Sequence, residues 1–328
     1  MNDVLHDVLI TCDNLVKIYK VADLEVVALQ GLDLEVRRGE FVALVGASGS
    51  GKTTLLNMLG ALDQPSAGRC VVSGNDLTRL NETQRTNYRC FQAGHVWQQV
   101  GRNLLPELTV AENIALPQMV GGVGIGQRAK RARELMERMS IAPLANKKPD
   151  RISGGEQQRA AIGVALANNP PLLLADEPTG ELDSATASEI LTLLRELNAE
   201  LGLTILIVTH DIAVASVADR TIAIRDGRTS TETVRRDAPM AGDAAYAGRA
   251  SAIIGLPSET HQESVLIDRA GRLQLPHEAV ERIPFNGRAD VRILSDHVEL
   301  WPQDTAAPDA QALDGHIAGH ARTSREEA

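Results

Sequence analysis

The 328 residues are 43% apolar and 23% charged, the balance of a soluble globular chain with room for one large domain and a smaller one. A formal net charge of −10 excludes the broadly basic surface that phosphate backbones attract, which makes nucleic acid a poor candidate partner. The three cysteines Cys12, Cys70 and Cys90 are odd in number and stand in no metal-ligand spacing, so a reducing compartment is expected in place of a disulfide scaffold, with the cysteines as small core residues.

At the start of the chain, MNDVLHDVLITCDNL places acids where a secretory signal needs a positive flank and an apolar core, so no export signal is expected. No later run reaches the roughly eighteen apolar residues of a membrane span, and any membrane role is expected to be peripheral. From Leu9 to Thr229, short β-branched runs alternate with helical patterns, which predicts an α/β domain with a largely parallel sheet over residues 1–230. Phe41 to Val45, Leu172 to Asp176 and Thr204 to Val208 read as buried strands. Between Asn81 and Asn169 helical patterns dominate, including the basic stretch Gln127 to Met139, and a helical subdomain is expected there.

Ser184 to Leu201 reads as a helix, because Ile190, Leu194, Leu197 and Leu201 share a face, with Asp183 or Ser184 as its cap. Arg225 to Arg228 forms a DG turn between two short strands. Residues 231–263, rich in Ala, Gly, Arg and Asp, read as a linker. Residues 264–303 regain strand character in VLIDRAGRLQLP and ADVRILSDHVELWP around a short HEAVERI helix, which predicts a small β-rich domain. The polar, aperiodic residues 304–328 are expected to be disordered.

Within this framework Gly46 to Thr53 reads GASGSGKT, a GxxxxGK[ST] phosphate loop that follows a predicted strand and opens a predicted helix. The glycines Gly46, Gly49 and Gly51, with Ser48 between them, let backbone N–H groups curl around phosphate oxygens. Lys52 adds a point charge, and the Thr53 hydroxyl is a ligand for Mg²⁺. Leu172 to Glu177 reads LLLADE, an apolar strand that ends in two carboxylates. Asp176 is placed to hold the Mg²⁺ shell and Glu177 to orient or deprotonate an attacking water, although acids after a strand are also common caps.

Ser153 to Arg159 reads SGGEQQR, and with it the chain resembles the ATP-binding cassette (ABC) family, whose signature motif other phosphate-loop ATPases lack. The resemblance covers about residues 9 to 229 and implies a P-loop NTPase fold. It makes Tyr19 the aromatic that stacks on adenine, Gln98 the Q-loop glutamine and third Mg²⁺ ligand, Glu181 to Asp183 the D-loop and His210 the switch histidine. Tyr19 also reads as a partly buried core tyrosine, and His210 as a strand-end cap. The run NLLP begins at Asn103, five residues after Gln98 where three are usual, so Gln99 is an alternative to Gln98. Glu181 stands where the family carries small or neutral residues.

The resemblance further implies a homodimer closed head to tail over ATP. In it Ser153, Gly154 and Gly155 of one subunit cap a γ-phosphate held by Gly49, Gly51, Lys52, Thr53 and Thr54 of the other. LLPELTVAENIALP, SGGEQQR and ADEPTGELD are most similar to the subfamily that drives FtsX-like permeases in lipoprotein release, macrolide export and cell division. That implies an integral membrane partner and a place on the cytoplasmic face of the membrane. A soluble, non-transport ABC ATPase is the rival, although the long coiled-coil insertion, zinc hook and tandem cassettes of that class do not occur here. Residues 264–303 resemble the swapped hairpin of AbrB-like regulators, which implies dimerisation. A regulator acting on DNA through that module is disfavoured by its mixture of acids and arginines.

Overall fold

A computed structural model describes residues 8–21, 24–210, 214, 217–235, 261–267, 271–275, 277–283, 289–293 and 297–302. It divides the chain into two units, 1–274 and 275–328. The larger unit is built on two sheets. In the first, β1 (Val8–Val21) lies between β2 (Leu24–Arg37) and β4 (Ala67–Val72), with the short β5 (Asn75–Asp76) at the edge, and all these pairs are antiparallel.

The second sheet has seven strands. Five run parallel: β6 (Ala93–Val96), β7 (Leu172–Asp176), β8 (Thr204–Thr209), β3 (Phe41–Val45) and β9 (Arg220–Arg225), in that spatial order. β10 (Arg228–Arg235) and β11 (His261–Val265) then extend the sheet antiparallel beyond β9.

The three strands read from the sequence as buried runs show how the core is divided. Successive side chains of a strand point to opposite faces, so a continuous apolar run must be covered on both sides. Phe41, Ala43, Leu173, Ala175, Ile205 and Ile207 face one cluster, while Val42, Leu44, Leu172, Leu174, Leu206 and Val208 face the other. The first cluster is closed by α3 (Val110–Val120), α4 (Ile125–Arg138), α5 (Gly154–Ala165) and α6 (Ser184–Leu201). The second is closed by α1 (Lys52–Leu59), by α2 (Glu82–Phe91) through Tyr88, and by the inner face of the antiparallel sheet.

Local signals set the helix boundaries. Asn81, Thr109 and Ser153 each begin a helix with a reciprocal capping box, in which the side chain accepts from the third residue on and that residue's side chain accepts from the cap N–H. Asp183 caps α6 by accepting from the N–H groups of Ala185 and Thr186, and Gly202, at φ 62°, ends it.

The stretch 231–263 differs from a plain linker at both ends. Thr231 to Arg235 belong to β10, and the strand at residues 261–265 pairs with them from Thr231↔Val265 to Arg235↔His261. The unpaired backbone groups along β10 supply the reason, since an eight-residue edge readily takes another strand. Residues 236–260, and the tail expected to be disordered, lie outside the described residues. The smaller unit holds α7 (His277–Arg282) and a hairpin of β12 (Ala289–Ile293) and β13 (Val298–Pro302). Among the described residues no helix is long and apolar enough to cross a membrane.

Leu206 is fully buried in β8 between β3 and β7. Leu206→Ala should destabilise the large unit by about 3 kcal/mol through lost burial and the cavity left behind, read as a lowered urea midpoint at unchanged slope.

Candidate functional site

Because β3, β7 and β8 are parallel neighbours, in the registers Val45↔Thr209 and Asp176↔Val208, their carboxyl ends open on one side of the sheet. The loop after β3 is Gly46–Gly51, the carboxylates Asp176 and Glu177 end β7, and His210 follows β8. Residues far apart in the chain are thus brought to one edge, where α/β proteins place ligands.

The loop's backbone takes positive φ at Gly46, Gly49 and Gly51, and at two of them a side chain would also clash. A Cβ on Gly46, at φ 155°, would lie 2.2 Å from the Ile224 carbonyl oxygen. On Gly51, at φ 100°, it would lie 2.5 Å from that of Ala28. Gly49, by contrast, faces open space. The turn between β9 and β10 supports the loop from behind: Gly227 N–H donates to Ser50 O at 3.1 Å, and Gln30 N–H donates to Gly227 O at 3.0 Å. Lys52 is buried and folds back over the loop, donating to the carbonyls of Gly46 (2.8 Å) and Ala47 (2.9 Å). Burial holds its ammonium below the ordinary lysine value, against the opposing pull of Glu177 and Asp176.

Asp176 is buried, and the Thr53 hydroxyl donates to its Oδ1 at 3.4 Å. Burial, and then the neighbouring charge of Glu177, push the Asp176 carboxyl above the usual aspartate value, while Thr53 and Lys52 pull it down. Glu177 adopts φ 44°, the left-handed region that non-glycine residues avoid. Its N–H donates to Val208 O at 2.8 Å, and its own carbonyl accepts from Gly180 N–H at 3.1 Å. This fixed backbone turn aims the carboxylate. Oε1 stands 3.0 Å from His210 Nδ1, and Oε2 accepts from Gln98 Nε2 at 3.4 Å. Of the two adjacent glutamines, Gln98 is therefore the one whose side chain reaches Glu177; the Gln99 carbonyl accepts from Asn103.

Among the described residues no group of three or more His, Cys, Asp or Glu could hold a metal. The Asp176 carboxylate beside the Thr53 hydroxyl nevertheless fits Mg²⁺, a hard cation that is held by one or two protein oxygens and completes its shell with waters and phosphate oxygens. Tyr19, on β1, is half-buried. Its hydroxyl donates to Asp63 Oδ2 at 2.9 Å, and Lys17 Nζ lies 4.8 Å from its ring centroid. Sequence reasoning missed Lys17, Asp63 and the supporting contact at Gly227. The DG turn was visible, but nothing local to Asp63 marks it as a partner of Tyr19.

Ser153, Gly154, Gly155 and Asp183 form a second group, on the amino ends of α5 and α6. The Ser153 hydroxyl is engaged with Glu156 in the capping box. A Cβ on Gly155 would meet Thr186 Cγ2 at 2.5 Å, so glycine allows the two helix starts to touch. Asp183 is occupied with Ala185 and Thr186, whose hydrogen bonds hold its carboxyl below the usual value.

The family model described as "ABC transporter" matches residues 29–180. The chain is 42% identical over 69% of its length to an uncharacterised ABC transporter ATP-binding protein of Thermotoga maritima, covering 95% of that protein. It is also 42% identical over 70% of its length to the macrolide export ATP-binding/permease protein MacB 2 of Aeromonas hydrophila, of which it spans 36%. Thus the chain spans only about a third of the length of that exporter. Among solved structures, a dimer of the ATP-binding cassette MJ0796 in a post-hydrolysis state bound to ADP and Pi is 41% identical, with a TM-score of 0.65 over 70% of this chain and 100% of that one. MJ0796 is a protein of Methanocaldococcus jannaschii.

Asp176→Asn should raise the melting temperature of the nucleotide-free protein at pH 7, because it removes a buried charge that the fold disfavours. A group whose pKa is raised by folding contributes its stability below the unfolded value and loses it as pH rises through the folded value. The gain from Asn should therefore shrink on acidification, as thermal melts from pH 7 downward would record.

Proposed function

Because the chain belongs to the ABC transporter ATP-binding family and is an ATP-binding, ATP-hydrolysing subunit, we propose that it works as a head-to-tail homodimer that drives an FtsX-like integral membrane permease from the cytoplasmic face of the membrane. The observation that carries the catalytic part is the Glu177 carboxylate, aimed by a left-handed backbone turn and approached by Gln98 and His210 beside the Asp176–Thr53 pair.

In this reading Glu177 receives a proton from the water that attacks the γ-phosphate, and His210 orients that carboxylate and senses the phosphate. Lys52 exchanges the carbonyls of Gly46 and Ala47 for phosphate oxygens, and the N–H groups of the open loop around Ser48 and Gly49 take the remaining charge. Mg²⁺, when bound, neutralises phosphate charge; Thr53, Asp176 and Gln98 would hold it. Tyr19 stacks on adenine, and Ser153, Gly154, Gly155 and Asp183 of one subunit complete the site of the other.

A groove of about 580 Å³ between α3 and α4, lined by Leu108, Leu116, Met119, Ile125 and Met136, suits an apolar segment of the permease. Macrolide export is the transport class that the relatives' names support, and lipoprotein release stands beside it through the sequence resemblance alone. Residues 264–303 are read as an AbrB-like dimerisation module, although Ser264 and Val265 belong to β11 of the larger unit and the smaller unit begins at Leu275. The β12–β13 hairpin and the exposed Val291 and Val298 support this, since a two-stranded hairpin is marginal without a partner.

Glu177→Gln should lower ATP turnover at least 100-fold while ATP binding persists, and should accumulate an ATP-bound dimer on gel filtration. Turnover near the wild-type rate would remove Glu177 from its role. Incubated with native membranes and Mg-ATP, the same variant should copurify with a permease; recovery of only soluble proteins would remove the transport reading.

A further inference from the structure

Cys12 on β1 and Cys70 on β4 are direct partners in the antiparallel register, and both are buried, at 1% and 0% exposure. The Cys12 thiol donates to Cys70 Sγ at 3.9 Å across a sequence separation of 58. Directly opposed antiparallel residues have Cα atoms about 4.5–5.5 Å apart, inside the range of roughly 4.4–6.8 Å that a disulfide spans. Covalent closure therefore needs side-chain rotation and a sulfur approach of about 2 Å, and no change of strand pairing. Cys90 stands elsewhere, with Pro117 O and the Asn168 amide as its neighbours.

We propose that Cys12 and Cys70 form an oxidisable dithiol which closes into a cross-strand disulfide under sustained exposure to hydroperoxide. One sulfur attacks the distal peroxide oxygen, breaking the O–O bond to give a sulfenic acid and releasing an alcohol or water. The second sulfur then displaces the hydroxyl as water. In sum two S–H bonds and one O–O bond break, one S–S bond and two O–H bonds form, and two electrons pass from sulfur to peroxide oxygen. A hydroperoxide is small enough to use the transient opening of a strand pair, whereas a bulky disulfide reagent is not.

Both sulfurs are buried, so peroxide reaches them slowly, and hydrogen bonding to Cys70 with burial holds the Cys12 thiol well above its ordinary value. Burial likewise shields the product from reductants. The pair thus records prolonged oxidation and passes over brief exposure. The segment closed by the bond contains Tyr19, the whole phosphate loop, Lys52 and Asp63, so the link removes unfolded-state freedom from the stretch that builds half of the nucleotide site.

The test uses the full chain and a Cys90→Ala form, each held for hours in hydrogen peroxide at native pH. Peptide mapping without reductant should link the Cys12 and Cys70 peptides, with the loss of two hydrogens reversed by dithiothreitol. The melting temperature should rise by roughly 8 °C on oxidation. Cys12→Ala and Cys70→Ala in the Cys90→Ala background should show neither change. Recovery of Cys12 and Cys70 as unlinked thiols or as sulfinic acids, a bond that uses Cys90 in the full chain, or a link without a rise in melting temperature would each overturn the proposal.

Discussion

The parallel strands β3, β7 and β8, covered on both faces, leave their carboxyl ends as the place where polar chemistry can gather without breaking the core. Everything at the site follows from this constraint. The registers of β3, β7 and β8 bring Gly46, Asp176 and His210 to adjacent strand ends, although 34 positions separate Asp176 from His210 and 130 separate it from Gly46. The apolar side chains beneath are committed in alternation to two clusters, so a strand could not slip by one residue without moving its whole apolar set to the wrong face.

The electrostatics of the site are dominated by burial acting on opposite charges. Lys52 is satisfied by two carbonyls and Asp176 is raised by burial and by Glu177, so each sits in a state that a phosphate–cation pair would improve. Local geometry is held by backbone contacts: Glu177 by the Val208 carbonyl, and the loop after β3 by Gly227. Rigid backbone and reassignable side chains together give preorganisation with little to rearrange.

Much of the parallel sheet was legible because its strands are unbroken apolar runs followed by motif residues whose chemistry is specific. GASGSGKT, LLLADE and the cap at Asp183 are signals contained in a few consecutive residues. The antiparallel sheet was not legible. β1 and β2 are each 14 residues long, but register shifts within Cys12–Leu15, Leu15–Val16 and Lys17–Ile18 break the alternation that marks a strand. Tyr19 was singled out through the family resemblance, while its partner Asp63 lies in a loop with no pattern of its own. β11 was hidden for a further reason: HQESV is polar, and backbone pairing with β10 makes it a strand more than any side-chain preference.

That last pairing has a consequence for how the molecule meets others of its kind. With residues 261–265 in place, the long strand that closes one side of the seven-stranded sheet offers its ladder to a segment of its own chain instead of to a stranger. The chain therefore caps its own long strand with a shorter, polar one, so the ladder left open at this rim belongs to a strand of 5 residues instead of one of 8.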